Sequence, residues 1–372
     1  MSKTSLISVI MPFYNPRFNL FQEAVESVLS QSYVSWELII VNDGSNLKRK
    51  NDLEAYISKI NDKRILILTL DKNYGVAAAR NKGIKASRGE IITFLSTDDF
   101  YLPWHCQEII DNFNDNPDSL ILGAFLLHYL SFWNIKRLFM EDPHNDLFEG
   151  REDIKNVTNR FKEGTAYKFP LIKFVYKKKV FDEITYDEDL LFGEDIDFIF
   201  QIINNKNFLE KTIITHMNGH LCRMHSFKKR LSRNWDFIVF YTKKLIEKHS
   251  NKDLKSYRVI NEWRSSKDQY INNPLLYKYL TNNSVFQTTA SIFLEKKSLR
   301  EKIKCLKILT REAIVRRFLM PILGVNIYYI KKLISSKGNK FKLFKSMFKN
   351  HLKNPTDINA SIHAKKIFER TF

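Results

Sequence analysis

Short apolar runs alternate with segments of helical periodicity in the first half of the chain. Five runs have the length and continuity of buried strands: Ile7–Phe13, Trp36–Val41, Ile65–Thr69, Ile91–Leu95 and Leu120–Phe125. Continuous apolar strands separated by helices are typical of a mostly parallel sheet that helices cover on both faces. In such sheets ligands bind beyond the carboxyl ends of the strands, so polar residues at those ends are candidates for chemistry.

Helices are predicted where apolar residues recur every three or four positions. Leu20–Leu29 and Ala77–Ala86 have this spacing, as do the segment that includes His105–Ile110 and the one that begins near Phe192. The mainly apolar run Leu120–Trp133 holds 14 residues. A membrane-spanning helix needs roughly 20, so this run is interpreted as a core strand followed by a helix.

The composition changes at about Lys228, after which long stretches combine helical periodicity with many lysines. We therefore predict an α/β domain over residues 1–230 and an α-helical, strongly basic region over residues 231–372. Of the net charge of +19, +16 lies in Lys296–Phe372, which contains twenty Lys or Arg and four acidic residues. A basic tail on a nearly neutral body indicates an anionic partner surface for the tail.

The tail interleaves basic and aromatic residues. Val315–Ile334 carries basic residues around a mainly apolar stretch of 13 residues, Phe318–Ile330, which is too short to span a bilayer comfortably. Lysines alternate with phenylalanines again between Lys340 and Lys349. Such a segment suits the interface of an anionic membrane. A helical bundle that packs on the first domain is the alternative, and no recognised motif supports nucleic acid as a partner.

The spacing of the cysteines indicates the cellular compartment in which the protein is expected. Cys106, Cys222 and Cys305 lie far apart and form no CxxC pair, and no signal peptide is visible. Reduced thiols in a cytoplasmic protein are therefore expected. Together with the basic tail, this predicts a cytoplasmic protein that is peripheral at the inner face of the cell membrane.

Acidic residues follow two of the predicted strands. Asp43 comes after the second strand, where a carboxylate can accept a hydrogen bond from a nucleobase imide or a ribose hydroxyl; an Asx-turn that closes the loop is the alternative. Asp98 and Asp99 follow the fourth strand. Adjacent carboxylates repel each other unless a positive charge lies close, and a divalent cation shared with phosphates meets that need. Alternatively, Thr97 or Asp98 caps the next helix.

Two further segments carry candidate side chains. Gly75 permits close backbone approach before a helix whose Arg80 can pair with a phosphate, with Asp98, or in a purely structural ion pair. Glu194 and Asp195 open another helix, where the macrodipole stabilises acids and keeps a carboxylate ready to accept a proton; a capping role is the alternative.

These segments together resemble family 2 glycosyltransferases with the GT-A fold, from about Ser8 to His225. The resemblance rests on blocks that occur in the family's order: Ser8–Asn15, Ser27–Tyr33, Glu37–Ser45, Asn73–Asn81, Asp98-Asp99 and Gly193–Asp195. It implies a mostly parallel central sheet with helices on both faces, followed here by the helical basic region.

The resemblance implies a binding site for a nucleotide-sugar donor. Pro12 and Tyr14 would line the nucleobase pocket, and Asp43 would hydrogen-bond a uracil imide. The family's DxD element falls on Ser96-Thr97-Asp98, so that Ser96 replaces its first acid. The donor-binding set is completed by Asn73, Gly75, Arg80, Ser96 and Asp98.

The same resemblance implies the catalytic groups. Asp98 would hold Mn²⁺ or Mg²⁺ against the donor diphosphate, with Asp99 and His225 as further metal ligands. Asp195 would be the general base, and Glu194 is the second choice for that role. The expected reaction is metal-dependent, inverting transfer of a hexosyl or N-acetylhexosaminyl group, most simply from a UDP-sugar. The acceptor would be a hydroxyl of a glycan or lipid-linked molecule in bacterial surface polysaccharide synthesis.

Two other functions were considered. A nucleotidyltransferase also uses acids at a sheet end, but it normally needs a phosphate loop rich in Gly, Arg or Lys after the first strand; Pro12–Phe18 has one Arg and no Gly. A non-catalytic membrane adaptor with a degenerate fold is the other alternative. Such decay is opposed by the intact acids Asp43, Asp98, Asp99, Glu194 and Asp195.

Overall fold

The computed structural model describes residues 5–125, 127–132, 135–140, 172–223 and 235–251, together with 345, 346, 349, 363–365 and 368. The chain divides into two compact units. The first contains Met1–Arg223, Asn251–Val259 and Asn339–Phe372, and the second contains Met224–Ser250 and Ile260–Gly338. The domain boundary expected at residue 230 remains a prediction.

A seven-stranded sheet forms the centre of the first unit, in the order β10-β6-β9-β4-β1-β2-β3. Four of its six strand pairs are parallel, and β9 runs antiparallel to both of its neighbours. The predicted, mostly parallel sheet is therefore confirmed. Its strands are β1 Ile7–Phe13, β2 Trp36–Asp43, β3 Ile65–Leu70, β4 Ile91–Phe94, β6 Ile121–Phe125, β9 Ile172–Lys177 and β10 Thr212–Thr215.

Helices cover both faces of this sheet, as predicted. α1, Phe18–Leu29, buries its apolar stripe against Val9 and Met11 of β1. α3, Val76–Ala86, packs on the opposite face. Gly83 of α3 lies against β1, where an added Cβ would stand 2.5 Å from a methyl carbon of Ile10. Further helices in the described part of this unit are α2 Leu47–Ile60, α4 His105–Asp115, α5 Glu194–Asn204, α6 Lys206–Glu210 and a 3-10 helix at Lys178–Asp182.

A second sheet of four strands has the order β5-β11-β7-β8. The helix predicted after Phe125 was wrong, because Leu127–Phe132 is strand β7. In a short apolar run, periodicity does not distinguish a buried strand from a buried helix. Here the pairing with β11 and β8 determines the conformation. The strands are β5 Phe100–Tyr101, β7 Leu127–Phe132, β8 Ile135–Met140 and β11 His220–Arg223.

The second unit contains α7, Trp235–Lys248, which agrees with the helical periodicity of that part of the sequence. The tail segment Val315–Ile334 lies outside the described residues. Where the structure describes the chain, no helix is both long and apolar enough to cross a membrane.

Candidate active site

The loops that follow β1 and β2 are joined by hydrogen bonds. The backbone N–H of Asn15 donates to Ser45 Oγ at 3.0 Å, and the Asn46 N–H donates to Asn15 Oδ1 at 3.0 Å. Asn15 itself has φ of 43°. These bonds fix the segment that carries Tyr14, whose side chain is 52 % exposed beside the half-buried Pro12. An exposed aromatic ring on a braced loop is available for stacking on a base.

Asp43 is buried at the end of β2 and holds the loop before α3. Its two carboxylate oxygens accept the backbone N–H groups of Tyr74 and Gly75 at 2.8 and 2.9 Å. Burial raises the pKa of Asp43, and these two hydrogen bonds oppose the rise. The Asx-turn considered from the sequence belongs instead to Asn42, whose Oδ1 accepts the Ser45 N–H at 3.0 Å.

The glycine after Asp43 lets two loops meet. Gly44 has φ of +64°, and an added Cβ would stand 2.2 Å from the carbonyl carbon of Lys72. Gly75, at φ of +95°, precedes α3, and its N–H is shared between Asp43 and Asn73 Oδ1, each at 2.9 Å. Asp43 and these glycines therefore set the position of the exposed Asn73.

The acids after β4 have different surroundings. Ser96 and Asp98 are half-buried, whereas Asp99 is buried. Neither Asp98 nor Thr97 caps the next helix, because α4 begins at His105 and has no side-chain cap. The loop is instead closed by an Asp99 N–H bond to the carbonyl of Ser96 at 3.1 Å. Asp98 is thus the more accessible carboxylate of the pair.

Asp99 points into the protein toward β11. Its Oδ1 accepts the backbone N–H of Arg223 at 2.9 Å, and its Oδ2 lies 3.8 Å from Nε2 of His220. Burial opposes ionisation of Asp99, but His220, Lys173 and the Arg223 N–H hold its pKa well below the usual range. The negative charge of Asp99 is therefore compensated by groups of the protein, which weakens its repulsion with Asp98. His225 lies outside the described residues, and its role as a metal ligand stays a prediction.

Arg80 forms an ion pair with Glu194 rather than with Asp98. The guanidinium Nη1 is 2.9 Å from Glu194 Oε1, and both side chains are largely buried. The guanidinium carbon lies over the rings of Tyr186 and Phe94, at 4.9 and 5.5 Å from their centroids. Burial raises the pKa of Glu194, and the charge of Arg80 opposes the rise. The pair joins α3 to the first turn of α5.

Asp195 differs from the buried Glu194 in its exposure to solvent. Its side chain is exposed, and its Oδ1 accepts the backbone N–H of Ile196 at 2.9 Å. The helix that it opens is preceded by Gly193 with φ of 81°, and no side chain caps it. The exposed carboxylate at the start of this helix is accessible to a ligand that approaches from solvent.

A cavity of about 90 Å³ lies beside these residues. Asp195 and Arg80 line it together with Thr93 and Phe94 of β4, the strand that leads into the Ser96–Asp98 loop. The cavity therefore brings the start of α5 close to the end of β4. Its lining also contains residues that the sequence did not single out: His105, Lys173, Tyr176, Tyr186 and His220.

We expect the replacement of Arg80 by Met to lower the free energy of unfolding by about 3 kcal/mol, because it leaves the carboxylate of Glu194 buried without its partner. Urea unfolding followed by circular dichroism measures the change. The control is Arg49→Met, which breaks the more exposed pair between Arg49 and Asp52 and should cost less than about 1 kcal/mol. Equal losses in the two variants would contradict a stabilising role for the buried pair.

Comparison with known proteins agrees with this arrangement. The family model described as "Glycosyl transferase family 2" matches residues 8–184. The chain is 28 % identical over 236 residues to the uncharacterized glycosyltransferase MJ1057 of Methanocaldococcus jannaschii, covering 60 % of this chain and 76 % of that protein. It is 41 % identical over 126 residues to WcaA of Escherichia coli, which is named provisionally as a colanic acid biosynthesis glycosyl transferase. That match covers 34 % of this chain and 43 % of WcaA, less than half its length.

Two solved structures share the fold. Residues 1–349 of Staphylococcus aureus TarS, in complex with UDP, superpose with a TM-score of 0.50 at 16 % identity, covering 77 % of this chain and 78 % of that one. The Pyrobaculum calidifontis mannosyltransferase PcManGT, in complex with GDP-Man and Mn²⁺, gives a TM-score of 0.50 at 13 % identity, covering 91 % and 89 %. The GT-A fold expected from the sequence is thereby confirmed.

Proposed function

Residues 8–184 are a domain of glycosyl transferase family 2, and from this premise we propose that the protein is an inverting, metal-dependent glycosyltransferase. It transfers a hexosyl or N-acetylhexosaminyl group from a nucleotide-diphosphate sugar to an acceptor hydroxyl. The family match favours glycosyl transfer over the nucleotidyl transfer considered from the sequence. The observation that carries the proposal is one cavity lined both by the exposed Asp195 and by Phe94, at the end of the strand that leads into the loop of Asp98.

The donor's nucleoside binds at the ends of β1 and β2 in this proposal. Tyr14 stacks on the base beside Pro12, and Asp43 accepts the imide N–H of uracil. Each oxygen of Asp43 already accepts one backbone N–H, and a carboxylate oxygen has a second lone pair for another donor. The UDP complex of TarS supports UDP as the nucleotide.

The diphosphate lies at the Ser96–Asp98 loop, with Asn73, Gly75 and Ser96 along its path. The residues present fit a hard divalent cation, Mn²⁺ or Mg²⁺, because Asp98 offers half-buried carboxylate oxygens at the loop that follows β4. Bound there, the cation neutralises the charge of the departing diphosphate. Mn²⁺ in the PcManGT complex supports this assignment. Asp98 is the principal ligand in the proposal, because the carboxylate of Asp99 is turned toward β11.

Asp195 acts as the general base. Its carboxylate takes the proton of the acceptor hydroxyl while the acceptor oxygen bonds to the anomeric carbon, and the bond from that carbon to the diphosphate oxygen breaks. Glu194 is held by Arg80, so it positions the start of α5 rather than accepting the proton. A single displacement of this kind inverts the anomeric centre.

Inversion is tested by proton NMR of donor hydrolysis. When water replaces the acceptor, an α-linked donor should release the β-sugar before mutarotation equilibrates the anomers. Initial release of the α-sugar would show retention and would exclude the single displacement. Samples recorded at successive early times separate the initial product from the equilibrium mixture.

The acceptor in this proposal is a hydroxyl of a glycan or a lipid-linked molecule in bacterial surface polysaccharide synthesis. The provisional assignment of WcaA to colanic acid biosynthesis supports that context. The basic region, residues 231–372, would hold the enzyme at the cytoplasmic face of the membrane, where lipid-linked acceptors are found. Of that region's tail, Lys345 and Lys349 lie among the described residues, half-buried and exposed respectively.

We expect the full-length protein to sediment with anionic vesicles at low salt and to be released at high salt. Each Lys or Arg near an anionic surface contributes about 1 kcal/mol. Four Lys→Glu changes in the tail should therefore weaken vesicle binding by at least about 100-fold. The measurement is co-sedimentation with phosphatidylserine vesicles, and the four changes are Lys340→Glu, Lys342→Glu, Lys345→Glu and Lys349→Glu.

The control for the tail variant carries the same change in charge elsewhere. Lys48, Lys59, Lys63 and Lys206 are exposed in the first unit, and their reversal should leave most vesicle binding intact. Equal losses of vesicle binding in the tail variant and in the control would mean that binding depends on net charge alone. Binding that survives the four tail changes would refute a membrane role for this segment.

A further inference from the structure

A compact group of potential metal ligands lies behind the loop that carries Asp98. Asp99 directly precedes β5, and His220 and Cys222 are two residues apart on β11, so that their side chains share one face of the strand. The antiparallel register of β5 and β11 places Asp99 opposite Cys222. One ligand atom from each of the three residues lies within 4.8 Å of the other two, and all three residues are buried.

The spacing between His220 and Asp99 is longer than a hydrogen bond. Nε2 of His220 is 3.8 Å from Oδ2 of Asp99, beyond hydrogen-bond distance. Nε2 is also buried and has no hydrogen-bond partner in the described part of the chain. Buried polar atoms in proteins nearly always have a hydrogen-bond partner, and an exception can indicate a bound ion. Two ligands of one tetrahedral ion at ordinary metal–ligand distances stand about 3.4 Å apart, which is close to the observed separation.

We propose that Asp99, His220 and Cys222 bind a Zn²⁺ ion that is separate from the donor's cation on Asp98. A carboxylate oxygen, an imidazole nitrogen and a thiolate sulfur form a ligand set that suits Zn²⁺ better than Mg²⁺ or Mn²⁺. The Cys222 thiol gives its proton to solvent when the sulfur–zinc bond forms. This inference goes beyond the proposed function and does not depend on it.

The charges around the group are compatible with the ion. Lys173 interacts electrostatically with both Asp99 and Cys222. One carboxylate and one thiolate balance the two charges of Zn²⁺, so Lys173 would face a neutral complex. A neutral imidazole from His220 would complete the set without adding charge.

The ion would have a structural role. It would tie the loop of Asp98 and Asp99 to β11, which ends at Arg223, the last residue of the long segment of the first unit. Arg223 already contacts this loop, since its Nε donates to the Asp98 carbonyl at 3.2 Å. Zinc would thus fix the backbone from which Asp98 reaches the donor.

The test measures zinc in the purified full-length protein. The protein is equilibrated with a zinc buffer, and free metal is then removed. Elemental mass spectrometry of the acid-digested protein should find one zinc per chain. Cys222→Ser and His220→Asn should each weaken zinc binding by at least about 100-fold. The control is Cys106→Ser, since Cys106 is also buried and unpaired with another cysteine but lies outside the group. Asp98→Ala should retain zinc, which separates this site from the donor's cation.

A second measurement keeps the proposal testable if a variant does not fold. Co²⁺ added to the wild-type protein should give the charge-transfer absorption of a cobalt–thiolate bond, and Zn²⁺ should abolish that absorption. Its absence in the wild-type protein would overturn the proposal. Zinc binding by Cys222→Ser that equals the wild type would overturn it too, whatever the enzymatic activity of either protein.

Discussion

Replacing Asp98 with Ala should reduce sugar transfer by at least about 10³-fold. Asp98 is the accessible carboxylate of the acid pair, at the loop that follows β4. Without it the cation is not held against the diphosphate, and the leaving group departs with its charge uncompensated. The loop itself should persist, because its bonds to Arg223 and Ser96 use the backbone of Asp98 and Asp99 and the side chain of Asp99.

The measurement is the initial rate of nucleoside diphosphate release at saturating donor, with Mn²⁺ or Mg²⁺. Asp115→Ala removes an exposed carboxylate far along α4 and should keep the wild-type rate. Chelator should abolish the wild-type activity, and added Mn²⁺ or Mg²⁺ should restore it. Full activity in chelator, or in Asp98→Ala, would show that the reaction needs no cation at this position.

Replacing Asp195 with Asn should lower turnover by about 10²-fold or more, up to about 10⁴-fold, while the donor's dissociation constant changes little. The amide keeps the shape of the carboxylate and its hydrogen bond from the Ile196 N–H, but it cannot take the acceptor's proton. Calorimetry of UDP binding and the initial rate of transfer measure the two quantities separately.

Two variants show whether the effect belongs to Asp195. Asp189→Asn makes the same change at an exposed position on the preceding loop and should be silent. Glu194→Gln disturbs the ion pair with Arg80 and should reduce stability more than it reduces turnover. If Asp195→Asn weakens donor binding and leaves turnover unchanged, Asp195 is a binding residue, and Glu194 becomes the better candidate for the base.

Most of the central sheet was accessible from the sequence because its strands are continuous apolar runs. β1, β2, β3, β4 and β6 match the predicted runs to within two residues at either end. Asp43 and Asp98 could then be identified as candidate site residues, because they lie at or after the carboxyl ends of β2 and β4. Strands β9 and β10 of the central sheet and the whole second sheet were not predicted. Strands such as β5 and β11 have only two and four residues, and their pairing depends on partners far along the chain.

The contacts within the site were harder to predict. Arg80 and Glu194 are 114 positions apart, and Asp99 and Arg223 are 124 apart. A sequence shows that such residues are charged, but the choice of partner depends on how α3, α5 and β11 pack. For that reason Arg80 was left open to several partners, and His220 was not singled out at all.

The central claim is that this chain consumes a nucleotide-sugar. The direct measurement is nucleoside diphosphate release from a panel of UDP-, GDP- and dTDP-sugars, with Mn²⁺ and with chelator, for the wild type and for Asp98→Ala. At least one UDP-sugar should be turned over by the wild type with Mn²⁺, and by neither the variant nor the chelated enzyme. No release from any donor, together with no UDP binding by calorimetry in the presence of Mn²⁺, would contradict it.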